Sequence, residues 1–241
     1  TRWKELGKIN GKEYIVKTIV TTETIKTIAE RNGVEMYDVY TGFKWIANVM
    51  RENEGKKNYI GGGEESYGFL CEDFVRDKDA VSACVILAEI AAWAKDQGLS
   101  LYQLLQKIYV EYGFSKEKGI SVVKKGKSGA EEIEAMMKKF RENPLTEIAG
   151  SKVTYFYDYS TLKGKDYAEN ETVTLDMPTT SNVLQYFTED NTKVSIRPSG
   201  TEPKIKFYCE VHSKVKSIDE LPEAEKAAEE KINQIKASLG I

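Results

Sequence analysis

The chain has 241 residues, with 35 basic against 38 acidic side chains and a formal charge of −3. At about 150 residues per domain this is one large domain or two ordinary ones, and a composition 41% apolar and 30% charged argues against general disorder. The near-neutral balance argues against a nucleic-acid partner, and no run approaches the ~18 apolar residues of a membrane helix.

Three widely spaced cysteines, Cys71, Cys84 and Cys209, fit a reducing, cytoplasmic setting better than a disulfide framework. The single histidine, His212, leaves no His-based metal site or proton relay. The chain opens on Thr1, which reads as the removal of something upstream.

In chain order, Tyr14 to Val20 is a mostly apolar, β-branched run expected to be a strand covered on both faces. Thr21 or Thr22 is expected to cap a helix carrying Ile25, Ile28 and Ala29, and Gly33 to stop it. A second strand, Val34 to Tyr40, leads through Thr41-Gly42 into a helix with Trp45, Ile46 and Val49. Asn58 to Ile60 reads as a short third strand ending in Gly61-Gly62-Gly63. A long helix from about Lys78 to Gln97 is expected to bury Val81, Cys84, Val85, Ala88 and Ala92, and Ser100 to cap another through Tyr112. Strands separated by helices imply a parallel α/β sheet.

From Gly113 to Gly129 the composition turns to Lys, Gly and Ser, which reads as a linker or domain edge. A helix is expected at about Ala130 to Glu142. Period-two strands follow at Val153–Tyr159, Thr172–Met177, Asn182–Phe187, Lys193–Arg197 and Lys204–Val211, with a hairpin turn at Glu189-Asp190-Asn191. A last helix runs from about Pro222 to Leu239. This half reads as α+β, an antiparallel sheet backed by helices.

Four segments carry chemistry. In Arg197-Pro198-Ser199-Gly200-Thr201-Glu202-Pro203 a planar guanidinium, two hydroxyls and a side-chain-free backbone suit a phosphate, and strand alternation turns Lys204, Lys206 and Tyr208 to one face. The bland account is a tight hairpin with solvated lysines. Gly63-Glu64-Glu65-Ser66-Tyr67-Gly68 offers adjacent carboxylates and a hydroxyl suited to the vicinal hydroxyls of a sugar, or it is a flexible acidic turn; without a Gly-Lys-Ser/Thr ending it is no P-loop. Arg76-Asp77-Lys78-Asp79 places a lysine beside an arginine, which tunes it for proton exchange, and capping of the helix by Asp77 is an equally good account. Thr41-Gly42-Phe43-Lys44 ends a strand on the same rim. The tyrosines Tyr155, Tyr157 and Tyr159 share one strand face, as packing residues do.

Taken together in this order, these motifs make the chain resemble the α-D-phosphohexomutases, the phosphoglucomutase and phosphomannomutase family, nearly end to end over that family's third and fourth domains. The resemblance implies a truncated, sugar-binding α/β domain with a mostly parallel sheet over residues 1–117. It implies a phosphate-binding α+β domain of TATA-binding-protein-like type, an antiparallel sheet backed by helices, over residues 118–241. It gives Thr41, Glu64, Ser66 and Lys78 to the substrate, with Lys78 also the catalytic, proton-handling residue. Arg197, Ser199, Gly200 and Thr201 would hold the non-reacting phosphate, with Lys206 adding charge.

Two departures follow. Tyr67-Gly68 stands where glucosamine and many mannose members have Gly-His, which favours glucose phosphates. The family's catalytic serine loop and Asp-rich magnesium loop are not in this sequence, nor are the first strand and helix of its third domain. The resemblance therefore implies a phosphoserine and Mg2+ on N-terminal domains of the same chain, with no metal residues here. It implies an isomerase of carbohydrate metabolism that interconverts hexose 1-phosphate and hexose 6-phosphate through a sugar bisphosphate, which also serves as activator. The sugar phosphate and the missing domains are the expected partners, with no nucleic acid and no membrane, and the 241 residues alone are expected to be inactive. The alternatives are a non-catalytic sugar-phosphate-binding module and a phosphopentomutase of the same family.

Overall fold

A short helix α1 (Arg2–Glu5) precedes strand β1 (Glu13–Thr18), which is the centre of the first sheet in the computed structural model. The structure describes residues 2–124, 126–200 and 202–241. The chain divides into two units, Thr1–Gly113 and Phe114–Ile241.

In the first unit β1 is followed by α2 (Thr24–Asn32), β2 (Glu35–Val39), α3 (Phe43–Asn53), β3 (Asn58–Glu64), β4 (Gly68–Cys71), α4 (Ala80–Asp96) and α5 (Leu101–Tyr112). The strand order is β2-β1-β3-β4, with β2 and β3 parallel to β1 and β4 antiparallel to β3. As its apolar run predicts, β1 is buried on both faces. One face packs under α3, where Tyr14, Val16, Tyr59 and Leu70 meet Phe43, Ile46 and Met50. The other holds Lys17, fully buried, with Nζ 2.6 Å from Asp38 of β2 and 3.0 Å from Glu23. Thr22 Oγ1 accepts from the Thr24 N–H at 3.2 Å, the capping residue of α2 itself being Glu23. Gly33 ends that helix in the left-handed region at φ 69°.

Three expectations need correction here. The glycine triplet is not a loop, because β3 runs on through it to Glu64 and returns as β4 in a hairpin. Glycine is required there by crowding: a Cβ at Gly63 would lie 2.6 Å from the Gly68 carbonyl oxygen, and one at Gly62 would strike the Val16 carbonyl. Second, α4 does not bury the expected residues. Val81 and Val85 are 74% and 61% exposed, and Cys84, Ala88 and Ala92 are exposed with them. The helix is apolar nearly all round, so its sequence does not mark which face turns inward. Third, the cap of α4 is Asp79, whose carboxylate accepts from the Val81 and Ser82 N–H groups, and not Asp77. The capping box of Ser100 and Gln103 on α5 is formed.

The second unit contains β5 (Phe114–Val123), α6 (Gly126–Glu142), β6 (Glu147–Ile148), β7 (Ser151–Asp158), β8 (Lys163–Asp166), β9 (Glu171–Thr174), β10 (Leu184–Thr188), β11 (Lys193–Pro198), β12 (Lys204–Ser213) and α7 (Leu221–Leu239). The strands pair antiparallel in the order β5-β12-β11-β10-β7-β8-β9, with β6 on β7. The expected linker is therefore mostly strand: β5 pairs along the whole of β12, and the expected boundary after residue 117 falls inside it. Its lysines are held from outside the sheet, Lys116 and Lys118 lying 2.8 and 2.7 Å from Glu225 and Glu229 of α7. Ile205, Phe207, Cys209 and Val211 of β12 are buried as alternation predicts. Helices α6 and α7 pack against β12, and the Tyr186 hydroxyl donates to the Phe140 carbonyl at 2.8 Å. Burial pushes the Cys209 thiol up to about 11, which leaves it a packing residue. No helix is long and apolar enough to cross a membrane among the described residues.

Candidate functional site

The three parallel strands β1, β2 and β3 end on one edge of the first sheet, the edge where open α/β sheets present their ligand-binding groups. Just past β2, Thr41 is half-buried and Gly42, the capping residue of α3, adopts φ 120° and has no side chain of its own to cap the helix. At the end of β3, Glu64 reaches across and its Oε1 accepts from the Gly42 N–H at 2.6 Å. A carboxylate at a helix N-terminus is favoured by the free N–H groups and the dipole.

Lys78 joins them from the segment between β4 and α4. A Cβ at Gly68 would lie 2.7 Å from Lys78 Cδ and 3.3 Å from Glu64 Oε2, so both side chains pass over this glycine. The Lys78 ammonium lies 5.1 Å from the centre of the Phe43 ring and 2.8 Å from Asp77 Oδ1. That partner holds the Asp77 carboxyl below the usual range. Arg76, expected to act on Lys78, is paired with Glu54 at 2.8 Å. An open cleft of about 620 Å³ runs here, lined by Gly42, Phe43, Lys44, Arg51, Arg76 and Lys78 among others.

Ser66 is exposed in the turn of the β3–β4 hairpin, beside Tyr67, which is 102% exposed with φ 66°. Glu64 and Glu65 do not form a pair. Glu65 points away to Thr18 and Thr21 at the end of β1, with Oε2 3.2 Å from the Thr18 hydroxyl. The sequence carried no signal for that contact, since 47 residues separate the two.

In the second unit Arg197 and Lys206 are direct cross-strand partners on β11 and β12, so two cations stand side by side before the turn. The Ser199 N–H donates to the Lys204 carbonyl at 2.8 Å, and the Ser199 hydroxyl accepts from the Glu202 N–H at 3.3 Å. Among the described residues, nothing beyond the chain neighbours lies within 4 Å of where a Cβ of Gly200 would stand, so backbone is open to an anion there. Thr201 lies outside the described residues. Glu202 is ion-paired with Lys204, which keeps its carboxyl low and offsets its charge near the turn. Tyr155, Tyr157 and Tyr159 meet in sequence, with ring centres 6.0 and 6.4 Å apart, tilted and then edge to face, and Tyr157 packs on Phe187.

The family description "Phosphoglucomutase/phosphomannomutase, alpha/beta/alpha domain III" matches residues 1–112, and that family's C-terminal domain matches residues 121–228. A phosphoglucomutase of Staphylococcus haemolyticus (strain JCSC1435) is 35% identical over 208 residues, which are 86% of this chain and 38% of that protein. A phosphoglucomutase of Staphylococcus aureus (strain MRSA252) is 40% identical over 194 residues, 80% of this chain and 35% of that protein. The chain thus spans 35–38% of the length of these curated relatives. Among solved structures, pp63/parafusin from Paramecium in its open form aligns with a TM-score of 0.56 at 19% identity, over 84% of this chain and 33% of that one. A phosphoglucomutase/phosphomannomutase family protein from Burkholderia thailandensis aligns with a TM-score of 0.56 at 16% identity, over 98% and 40%. At such identities the structures speak to the fold alone. The chain belongs to the phosphoglucomutase/phosphomannomutase family, of which it carries domain III and the C-terminal domain.

Proposed function

We propose that this chain is the sugar- and phosphate-recognising part of a phosphoglucomutase that interconverts hexose 1-phosphate and hexose 6-phosphate through a bisphosphate. The observation that supports it most is the convergence of Gly42, Glu64, Gly68 and Lys78, from three separated segments, on the carboxyl edge of a parallel sheet. Glu64 accepts from sugar hydroxyls, Ser66 donates to or accepts from them, and Thr41 lines the same rim. Lys78, now resting on Asp77, exchanges that carboxylate for the substrate and passes a proton to or from the reacting hydroxyl. In the second unit Arg197 offers a bidentate fork to the phosphate that is not transferred, Ser199, Gly200 and Thr201 supply turn donors, and Lys206 adds the second charge.

The magnesium expected of the family finds no ligand set here. Among the described residues no three of His, Cys, Asp and Glu converge as metal ligands, and the carboxylates at the site are engaged by Gly42, Lys78 and the first turn of α4. No step is therefore assigned to a metal, and the phosphoryl donor is likewise assigned to polypeptide outside these 241 residues. On this reading the chain binds and orients but turns over no hexose phosphate by itself.

Backbone NMR titration of the chain tests it. Glucose, mannose and ribose phosphates should all shift the amides around Arg197 and Ser199, as inorganic phosphate does. The hairpin amides Glu64 to Gly68 should respond to glucose phosphate, more weakly to the others and not at all to inorganic phosphate. Shifts confined to unrelated surfaces, or hairpin shifts equal for phosphate and sugar phosphate, would contradict the assignment.

A further inference from the structure

The β3–β4 hairpin closes on three residues, Glu65, Ser66 and Tyr67, with Glu64 paired to Gly68 across the turn. In such loops the third residue takes a left-handed conformation and is usually glycine. Here it is Tyr67, at φ 66° and with its ring fully in solvent, so its own packing does not hold that backbone. A bulky residue kept left-handed needs the surroundings to fix it. Glu65 supplies the fixing contact. Its Oε2 lies 3.2 Å from the Thr18 hydroxyl and 3.5 Å from that of Thr21, and the two hydroxyls are 2.8 Å apart. Thr18 is fully buried and Thr21 is 8% exposed. With Thr21 donating to Thr18 and Thr18 donating to Glu65, each hydroxyl proton is used once and the chain of bonds ends on an acceptor-only carboxylate.

We propose that Glu65 is a positioning residue: by closing the Thr21–Thr18 hydroxyl relay it locks the hairpin turn to the end of β1, and so fixes the backbone that carries Glu64 and Ser66. The geometry divides the two adjacent carboxylates by task, Glu64 toward α3 and the ligand, Glu65 toward the scaffold. Its effect on sugar affinity rests on the proposed sugar-binding role of this hairpin; its effect on the turn does not.

The test uses the 241-residue chain in two readouts, amide hydrogen exchange at Ser66, Tyr67 and Gly68 without ligand, and affinity for glucose 6-phosphate. Glu65→Ala and Thr18→Val should each speed exchange at the turn about tenfold, the loss of one charge-assisted bond, and the double variant should add little more. Thr18→Ser, which keeps the hydroxyl, should stay close to wild type, and Glu65→Gln, which keeps an acceptor without the charge, should fall between wild type and Glu65→Ala. Glucose 6-phosphate affinity should fall in step with exchange while inorganic phosphate affinity stays unchanged. Silent Thr18→Val beside a weakened Glu65→Ala would make Glu65 a direct sugar ligand and overturn the proposal, as would simple additivity in the double variant. If wild type binds no glucose 6-phosphate the sugar reading fails, and hydrogen exchange alone still decides the relay.

Discussion

Glu64 accepts a 2.6 Å hydrogen bond from the backbone N–H of Gly42, which joins the end of β3 to the first turn of α3. The bond is charge-assisted, so Glu64→Gln keeps the shape and an acceptor but removes the charge. Hexose phosphate affinity should fall about fivefold to tenfold, while inorganic phosphate binds with unchanged strength. Competition titrations with both ligands check this; equal loss of both would mean that the residue acts through folding and reads no hydroxyls.

Lys193 and Glu210 form an ion pair at 3.1 Å with side chains 3% and 5% exposed. Removing one partner leaves the other charge buried, whereas removing both leaves none. Lys193→Met should cost the second unit about 3–5 kcal/mol in urea unfolding, and adding Glu210→Leu should restore most of it. A single variant within about 1 kcal/mol of wild type would show that the pair is not the constraint its burial implies.

Asp190, in the β10–β11 turn, gives a pH test. Partial burial alone would raise its carboxyl, but the Lys231 ammonium and the Thr188 and Thr192 hydroxyls outweigh it and hold the group at about 2. A folded value below the unfolded one, about 3.9, adds stability that is complete above about pH 4.5 and lost as pH falls through about 2. The stability difference between wild type and Asp190→Asn should therefore be flat from pH 7 to about 4.5 and shrink below it. A difference that grows on acidification would reverse the sign and contradict the pairing.

The exposed apolar residues of α4 predict behaviour of the chain in isolation. Val81 and Val85, one turn apart on α4, are 74% and 61% exposed, and Leu87, on another side of the helix, is 55% exposed. An exposed patch of that kind binds hydrophobic dyes and promotes self-association. The chain should enhance anilinonaphthalene sulfonate fluorescence at neutral pH, and Val85→Glu with Leu87→Glu should lower the signal without loss of helical circular dichroism. Dye binding unaffected by the two glutamates would place the hydrophobic surface elsewhere.

These particulars show which parts of the molecule local pattern could carry. Alternation in β12 was enough to place Lys206 with Arg197 and Phe207 in the core, because period two is a local property of the strand. The β3–β4 hairpin was hidden, since three glycines read as a loop unless one knows that the Val16 carbonyl and β4 press on them. Strand β5 was hidden for the converse reason: its lysines and glycine look like linker until Glu225 and Glu229 of α7 are set opposite them. The buried face of α4 is not legible in its sequence, because apolar residues on all sides give no phase. Glu65 and Thr18 meet only through the fold. Motif spacing singled out the candidate residues, and tertiary contacts show which of them meet.

Arg197 decides whether the β11–β12 turn holds the phosphate of a sugar phosphate. Calorimetric titration of glucose 6-phosphate and of inorganic phosphate into wild type and Arg197→Ala, with melting curves for both proteins, is the direct measurement. Loss of a bidentate charged contact should weaken both ligands by about 1.5–3 kcal/mol, some 10- to 150-fold, with the melting temperature nearly unchanged. An early-melting variant that binds both ligands normally would make Arg197 structural and contradict the account.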